Sequence, residues 1–140
     1  MIDVRRNVIP VLVALAGCAT THSAMMSSAD DLERSTDAFV SDAGREFPDA
    51  REFANLEHHF LETVDRAGDR EVISAYEHLW DAYHAIRHEV ERSGSLQAQA
   101  DFKPVTQAFI YVVRDIRAYA DADSAVYARG GFQHDQYYDP

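Results

Sequence analysis

The sequence predicts an all-α protein whose core is an antiparallel three- to four-helix bundle of up-down-up-down topology. Between Asp30 and Asp123 the chain has only two prolines and three glycines, and no segment alternates apolar and polar residues as a half-buried strand does. Apolar residues recur instead at steps of three and four, which places them on one face of a helix. Short connections at the glycines make consecutive helices run antiparallel.

Gly44, Gly68 and Gly94 divide this stretch, because glycine accepts the left-handed turn in which many helices end. The first predicted helix runs from about Asp30 to Ala43, with Asp30 and Asp31 as capping candidates, and the second from about Pro48 to Ala67. The first has a thin apolar face, so a weakly held first helix would leave a three-helix core. The expected buried residues are Leu32, Thr36, Phe39 and Ala43 in the first helix and Phe53, Leu56, Phe60, Val64 and Ala67 in the second.

The third and fourth helices have apolar residues at alternating steps of four and three, as in heptad repeats. We expect Asp69 to cap the third helix, which runs to about Ser93, and the fourth to span about Ser95 to Ala122. Pro104 is expected to kink or break the fourth helix, because proline lacks an N–H and restricts the residue before it. The expected core residues are Val72, Tyr76, Leu79, Tyr83, Ile86 and Val90, then Phe102, Val105, Phe109, Val112, Ile116 and Tyr119.

Residues 1–17 have the pattern of a secretory signal peptide. Arg5 and Arg6 precede an apolar stretch from Val8 to Ala16, and small residues follow. A membrane-spanning helix needs about 20 apolar residues, and this run is about half that length.

Leu15-Ala16-Gly17-Cys18 resembles the lipobox of bacterial lipoproteins. The resemblance implies that residues 1–17 are cleaved and that Cys18 is acylated, with fatty acids such as palmitate, to become a lipid-anchored first residue. Several acyl chains on one residue anchor a protein firmly, whereas a single chain holds it only marginally. Ala19 stands where inner-membrane lipoproteins of many enteric bacteria carry Asp, so the resemblance favours the outer membrane, with the protein facing the periplasm.

Residues 18–29 are small and polar and have no apolar period, so we expect the lipidated cysteine and a flexible tether there. The helical bundle is expected over residues 30–123. Residues 124–140 combine Gly130-Gly131 with aromatic and acidic side chains, which predicts a mobile tail.

The net charge of −11 makes nucleic acid an improbable partner, because phosphate binding needs clustered Lys and Arg. Cys18 is the only cysteine, so its lipidation leaves no thiol for a disulfide, a thiolate metal site or a nucleophile. The expected partners are membrane lipid, through acylated Cys18, and an envelope protein of unknown identity.

Histidine beside carboxylate is the pattern closest to chemistry. Glu77, Asp81, His84 and His88 project within about 60° of one another on the third helix, roughly opposite its apolar face. His58 and Glu62 make a similar pair on the second helix. Such a face would bind Zn(II) or Cu(II) weakly, and it is otherwise an ordinary solvated helix face, which is the favoured interpretation.

No Gly-rich phosphate loop, nucleophile elbow or His-Glu-x-x-His motif is present, and no resident cofactor is expected. The sequence therefore predicts a non-enzymatic lipoprotein that presents an acidic helical bundle as a binding or envelope-structural module. The alternative is weak binding or buffering of divalent metal by the histidine and carboxylate face.

Overall fold

The structure is a computed structural model that describes residues 9–66 and 69–126, with side chains described over 21–66 and 70–121. These residues form four α-helices. They are α1 (Ile9–Ala43), α2 (Asp49–Arg66), α3 (Asp69–Ser93) and α4 (Leu96–Val126). No strand occurs within these residues, so the all-α prediction is confirmed.

The helices form a closed ring in which α1 packs against α2 and α4, and α3 packs against α2 and α4. Rising residue numbers on one helix meet falling numbers on its neighbour, so the topology is up-down-up-down. The contacts that show this are Phe53 with Tyr83 and Phe60 with Tyr76 between α2 and α3, and Tyr83 with Phe102 and Tyr76 with Phe109 between α3 and α4. Along α1, Met26 lines a groove with Leu61 of α2 and Glu33 contacts His58. Ala24 lines a pocket with Asp115 of α4, and Phe39 contacts Phe102.

Local polar groups set the helix ends around Gly94. This glycine has a φ of +67°, the left-handed conformation expected at the end of α3. Ser95 caps α4, because its Oγ accepts a hydrogen bond from the Ala98 N–H at 3.1 Å.

Gly44 ends α1 in a different way from the prediction. Its φ is not positive, and its N–H donates to the Val40 carbonyl at 3.0 Å, so it continues the helical hydrogen bonding. Glycine suits the position because a Cβ there would collide with the Val40 carbonyl oxygen. Gly68, the remaining predicted break, lies outside the described residues.

Aromatic rings fill the centre of the bundle. Tyr83 stacks on Phe109 with ring centroids 3.9 Å apart and planes 8° from parallel, which joins α3 to α4. Phe102 lies against Tyr83 on one side and Phe39 of α1 on the other. The predicted core faces of α1, α3 and α4 are buried, except that Tyr119 is half-buried.

The predicted flexible tether at residues 18–29 is wrong, because the structure has helix there. α1 begins at Ile9 and runs without a break to Ala43. Met25 and Ala29 are fully buried, and Ser28 is buried with its Oγ donating to the Met25 carbonyl. Small side chains bury little area each, but they let helices approach closely, and this packing takes the place of a strong apolar period.

Pro104 does not break α4, so of the two predicted outcomes, a kink or a break, the break is wrong. Proline removes the N–H that the Ala100 carbonyl would accept from, yet both residues lie on the exposed side of the helix. Water can satisfy that carbonyl, so the helix continues through the proline at modest cost.

The predicted signal peptide and the predicted tail lie at the two ends of the chain. Residues 124–126 of the predicted tail belong to α4, and residues 127–140 lie outside the described residues, as do residues 1–8 of the predicted signal peptide. Within the described helices, none is long and apolar enough to cross a lipid bilayer.

Replacing Met25 with Ala is expected to lower the free energy of unfolding by about 2 to 5 kcal/mol, the cost of truncating a fully buried large side chain. Met26→Ala is the matched control, because the neighbouring Met26 is only half-buried and its truncation should cost clearly less. Denaturant unfolding of both variants checks this. Equal, negligible losses would mean that this turn of α1 does not pack in the bundle.

Candidate functional site

The predicted metal-binding face of α3 is not uniformly solvent-exposed. Glu77, Asp81 and His88 are exposed, but His84 is half-buried with its ring centroid 4.5 Å from that of Trp80. Its Nε2 is buried and has no hydrogen-bond partner within the described residues. Burial lowers the pKa of His84, and the positive charge of Arg87 acts in the same direction.

These positions favour packing of His84 over metal binding at this face. Among residues 21–66 and 70–121, no group of three or more His, Cys, Asp or Glu side chains is arranged to hold a metal ion. In the described part of the chain, the candidate ligands of α2 and those of α3 do not come together as one metal site. Weak Zn(II) or Cu(II) binding therefore stays a prediction, for the residues His84, His88, Asp81, Glu77, His58 and Glu62.

The other predicted pair, His58 and Glu62, belongs to a network between α1 and α2. His58 Nδ1 lies 2.9 Å from Glu33 Oε1 on α1, and its Nε2 lies 3.7 Å from Glu62 Oε1. Arg66 pairs with the second oxygen of Glu62 at 2.9 Å. The hydrogen bond to Glu33 is the main reason that the pKa of His58 is raised. This exposed network links the two helices electrostatically.

A groove lies beside this network. It has a volume of about 540 Å³, opens widely to solvent, and is lined by Met26, Ser27, Asp30, Leu61, Glu62 and Asp65. We call it the acidic groove, because its charged lining residues are all carboxylates. Arg34 partly neutralises its edge by pairing with Asp30 at 2.7 Å. Apolar side chains beside carboxylates suit a ligand that is both cationic and apolar.

Glu57 is a buried carboxyl under the same face. Its side chain is 1% exposed, and its Oε1 has no hydrogen-bond partner within the described residues. Burial raises the pKa of Glu57 to about 8, and the negative charges of Glu33, Asp37 and Asp30 on α1 add to this. A neutral carboxyl is therefore the dominant form of Glu57 below that pH.

The predicted core of α2 does not include Glu57, because glutamate on a helix is ordinarily solvated. Leu56 is predicted to lie in the core, and that residue is half-buried instead. A signal was present, since Glu57 lies four residues after Phe53 and three before Phe60, at the core spacing of α2. The hydrogen bond from His58 to Glu33 had no sequence signal, because it depends on how α1 and α2 are aligned.

Comparison with known proteins gives no family for this arrangement: no family model, curated protein or solved structure matches the chain.

Glu57→Gln should remove a pH dependence of stability. The pKa of Glu57 rises from 4.5 in the unfolded chain to about 8 in the folded protein, so the folded state binds more protons between these values and loses stability as pH rises. Each pKa unit is worth about 1.4 kcal/mol, so the full shift is worth about 5 kcal/mol. About 4 kcal/mol of this is lost between pH 4.5 and pH 8, because the carboxyl is half-titrated in the unfolded chain at the first pH and in the folded protein at the second. The glutamine variant should lack this loss.

Urea unfolding of the parent and the variant at several pH values measures the difference in their free energies of unfolding. The contributions of all other titrating groups are common to both proteins and cancel in this difference. The control is Glu52→Gln, at an exposed glutamate of the same helix, which should follow the parent at every pH. Parallel curves for the parent and Glu57→Gln would show that Glu57 is ionised in the folded protein near neutrality.

Proposed function

We propose that this protein is a bacterial lipoprotein, held to the membrane by an acylated Cys18, whose acidic four-helix bundle is a non-enzymatic binding or envelope-structural module. The observation that carries the proposal is Leu15-Ala16-Gly17-Cys18, preceded by a basic start and a short apolar stretch. Cleavage before Cys18 would leave a protein whose first residue belongs to α1.

The proposed location is the outer membrane, with the bundle facing the periplasm. Ala19 supports this, because the lipoproteins retained in the inner membrane of many enteric bacteria have Asp in that position. The proposed contacts are membrane lipid at Cys18 and an envelope protein that the bundle binds.

Helix α1 would connect the anchor directly to the bundle. Cys18 precedes the fully buried Met25 by seven residues of continuous helix, which is about 10 Å along the helix axis. The bundle would therefore lie at the membrane surface, rather than stand off on a flexible tether as the composition of residues 18–29 suggests.

The acidic groove between α1 and α2 is the proposed binding surface. Met26 and Leu61 offer apolar contact, while Asp30, Glu62 and Asp65 carry negative charge that Arg34 and Arg66 offset in part. The bundle as a whole is acidic, with a net charge of −11 for the chain, which would attract cationic partners and speed their association. A basic, partly apolar segment of an envelope protein fits this surface best.

Cys18→Ala is expected to abolish lipid attachment and release the protein from the membrane fraction, because the variant has no thiol to acylate. Metabolic labelling with palmitate, membrane fractionation and intact mass measure this in bacterial cells. Ser23→Ala is the control, since Ser23 is an exposed residue of α1 outside the lipobox.

The control should stay labelled and membrane-bound. If Cys18→Ala remains as strongly labelled and as membrane-bound as the parent, then the lipoprotein proposal is wrong.

A further inference from the structure

A small pocket lies between α1 and α4, on the opposite side of α1 from α2. It has a volume of about 160 Å³ and is lined by Thr21, Ala24, Asp115 and Ala118. The two alanines leave room that larger side chains would fill. The pocket is open to solvent, and at about 30 Å³ for each water its volume has room for a small polar group with its first methylenes.

Asp115 gives this pocket its chemistry. Its carboxylate is 5% exposed, and one oxygen accepts a hydrogen bond from Arg114 Nε at 2.7 Å. The other oxygen, Oδ2, is buried and has no hydrogen-bond partner within the described residues. An unpaired buried acceptor costs free energy, so a cation held beside the buried carboxylate of Asp115 would gain more here than at an exposed carboxylate.

The pocket suits an ammonium group better than a metal ion. Asp115 supplies its only carboxylate, and no ligand group for a metal was found among the described residues. A primary ammonium has three N–H donors, fits the volume, and carries an alkyl chain that the methyl groups of Ala24 and Ala118 would flank. A trimethylammonium group is bulkier and has no N–H to donate.

Two further features point to a lipid headgroup as the source of the ammonium. Thr21 follows Cys18 by three residues, about 4.5 Å along α1, so an acylated Cys18 would hold the pocket at the level of the polar headgroups. The guanidinium of Arg114, beside Asp115, is largely exposed and lies 5.0 Å from the ring centre of Tyr111. Arginine is well suited to contact a phosphate next to the ammonium.

We propose that the pocket between α1 and α4 binds the ammonium group of phosphatidylethanolamine in the membrane that holds the protein, with the carboxylate of Asp115 as the acceptor and Arg114 on the phosphate. The membrane source of the ligand rests on the proposed lipoprotein function, whereas recognition of the ammonium group rests on the pocket alone.

The test is binding of short-chain phosphatidylethanolamine to the full chain purified in detergent, compared with phosphatidylcholine of the same acyl chains. We expect the ethanolamine lipid to bind at least about tenfold more tightly, and Asp115→Asn to remove that preference. Asp42→Asn, at an exposed aspartate near the other end of α1, should keep it. Ala118→Leu, at an exposed position, should also remove it by filling the pocket while leaving Asp115 in place.

Equal binding of the two lipids, or a preference that survives both pocket variants, would overturn the proposal. If free ethanolamine binds as tightly as the lipid, the pocket takes a soluble amine, and the claim that its ligand is a lipid headgroup is wrong. Intact mass of the same preparation reports acylation of Cys18 independently, and short-chain lipid binding does not require it. An unacylated protein that prefers the ethanolamine lipid therefore contradicts only the anchor, and an acylated protein without the preference contradicts only the pocket.

Discussion

Packing of α1 against α4 is the constraint on which the rest of the bundle depends. Few residues separate α1 from α2, α2 from α3 and α3 from α4 along the chain, but α1 and α4 are distant in sequence and meet through the packing of their side chains. The edge-to-face contact of Phe39 with Phe102, centroids 5.0 Å apart, lies at one end of this interface, and the Asp115 pocket lies towards the other. The same helix supplies Glu33 and Asp30 to the α2 side. Both candidate sites therefore require α1 in place.

The interior combines a well-packed aromatic centre with a few costly polar groups. Phe39, Phe102 and Tyr83 join three helices through ring contacts, and such packing contributes most of a small bundle's stability. Glu57 and Asp115 are buried carboxyl groups on opposite sides of α1, and each has an oxygen without a hydrogen-bond partner in the described part of the chain. Burial of a polar group without full pairing costs stability, so protonation of Glu57 or a ligand bound at Asp115 would change the stability of the protein.

The sequence predicts the helices well where large apolar residues repeat. The core positions of α3, from Val72 to Val90, are buried as expected, and Gly94 has the predicted left-handed conformation. The prediction is wrong where the buried residues are not large and apolar. Residues 19–29 are mostly small and polar, yet Met25 and Ala29 pack in the core. Glu57 is an acid, yet it occupies a core position of α2. Of the candidate sites, helical spacing alone predicts that His58 lies near Glu62. It does not predict the contact of His58 with Glu33, because one chain's periodicity contains no information about the alignment of two helices.

Hydrogen–deuterium exchange of the backbone amides of residues 21–29 tests most directly whether α1 belongs to the bundle from its first turns after Cys18. A helix packed against α4 exchanges these amides only when the bundle opens, so they should be protected to a degree similar to those of residues 32–39. Exchange of residues 21–29 at the rate of an unstructured chain, with residues 32–39 still protected, would contradict the account, because it would restore a flexible tether and separate the Asp115 pocket from its α1 wall.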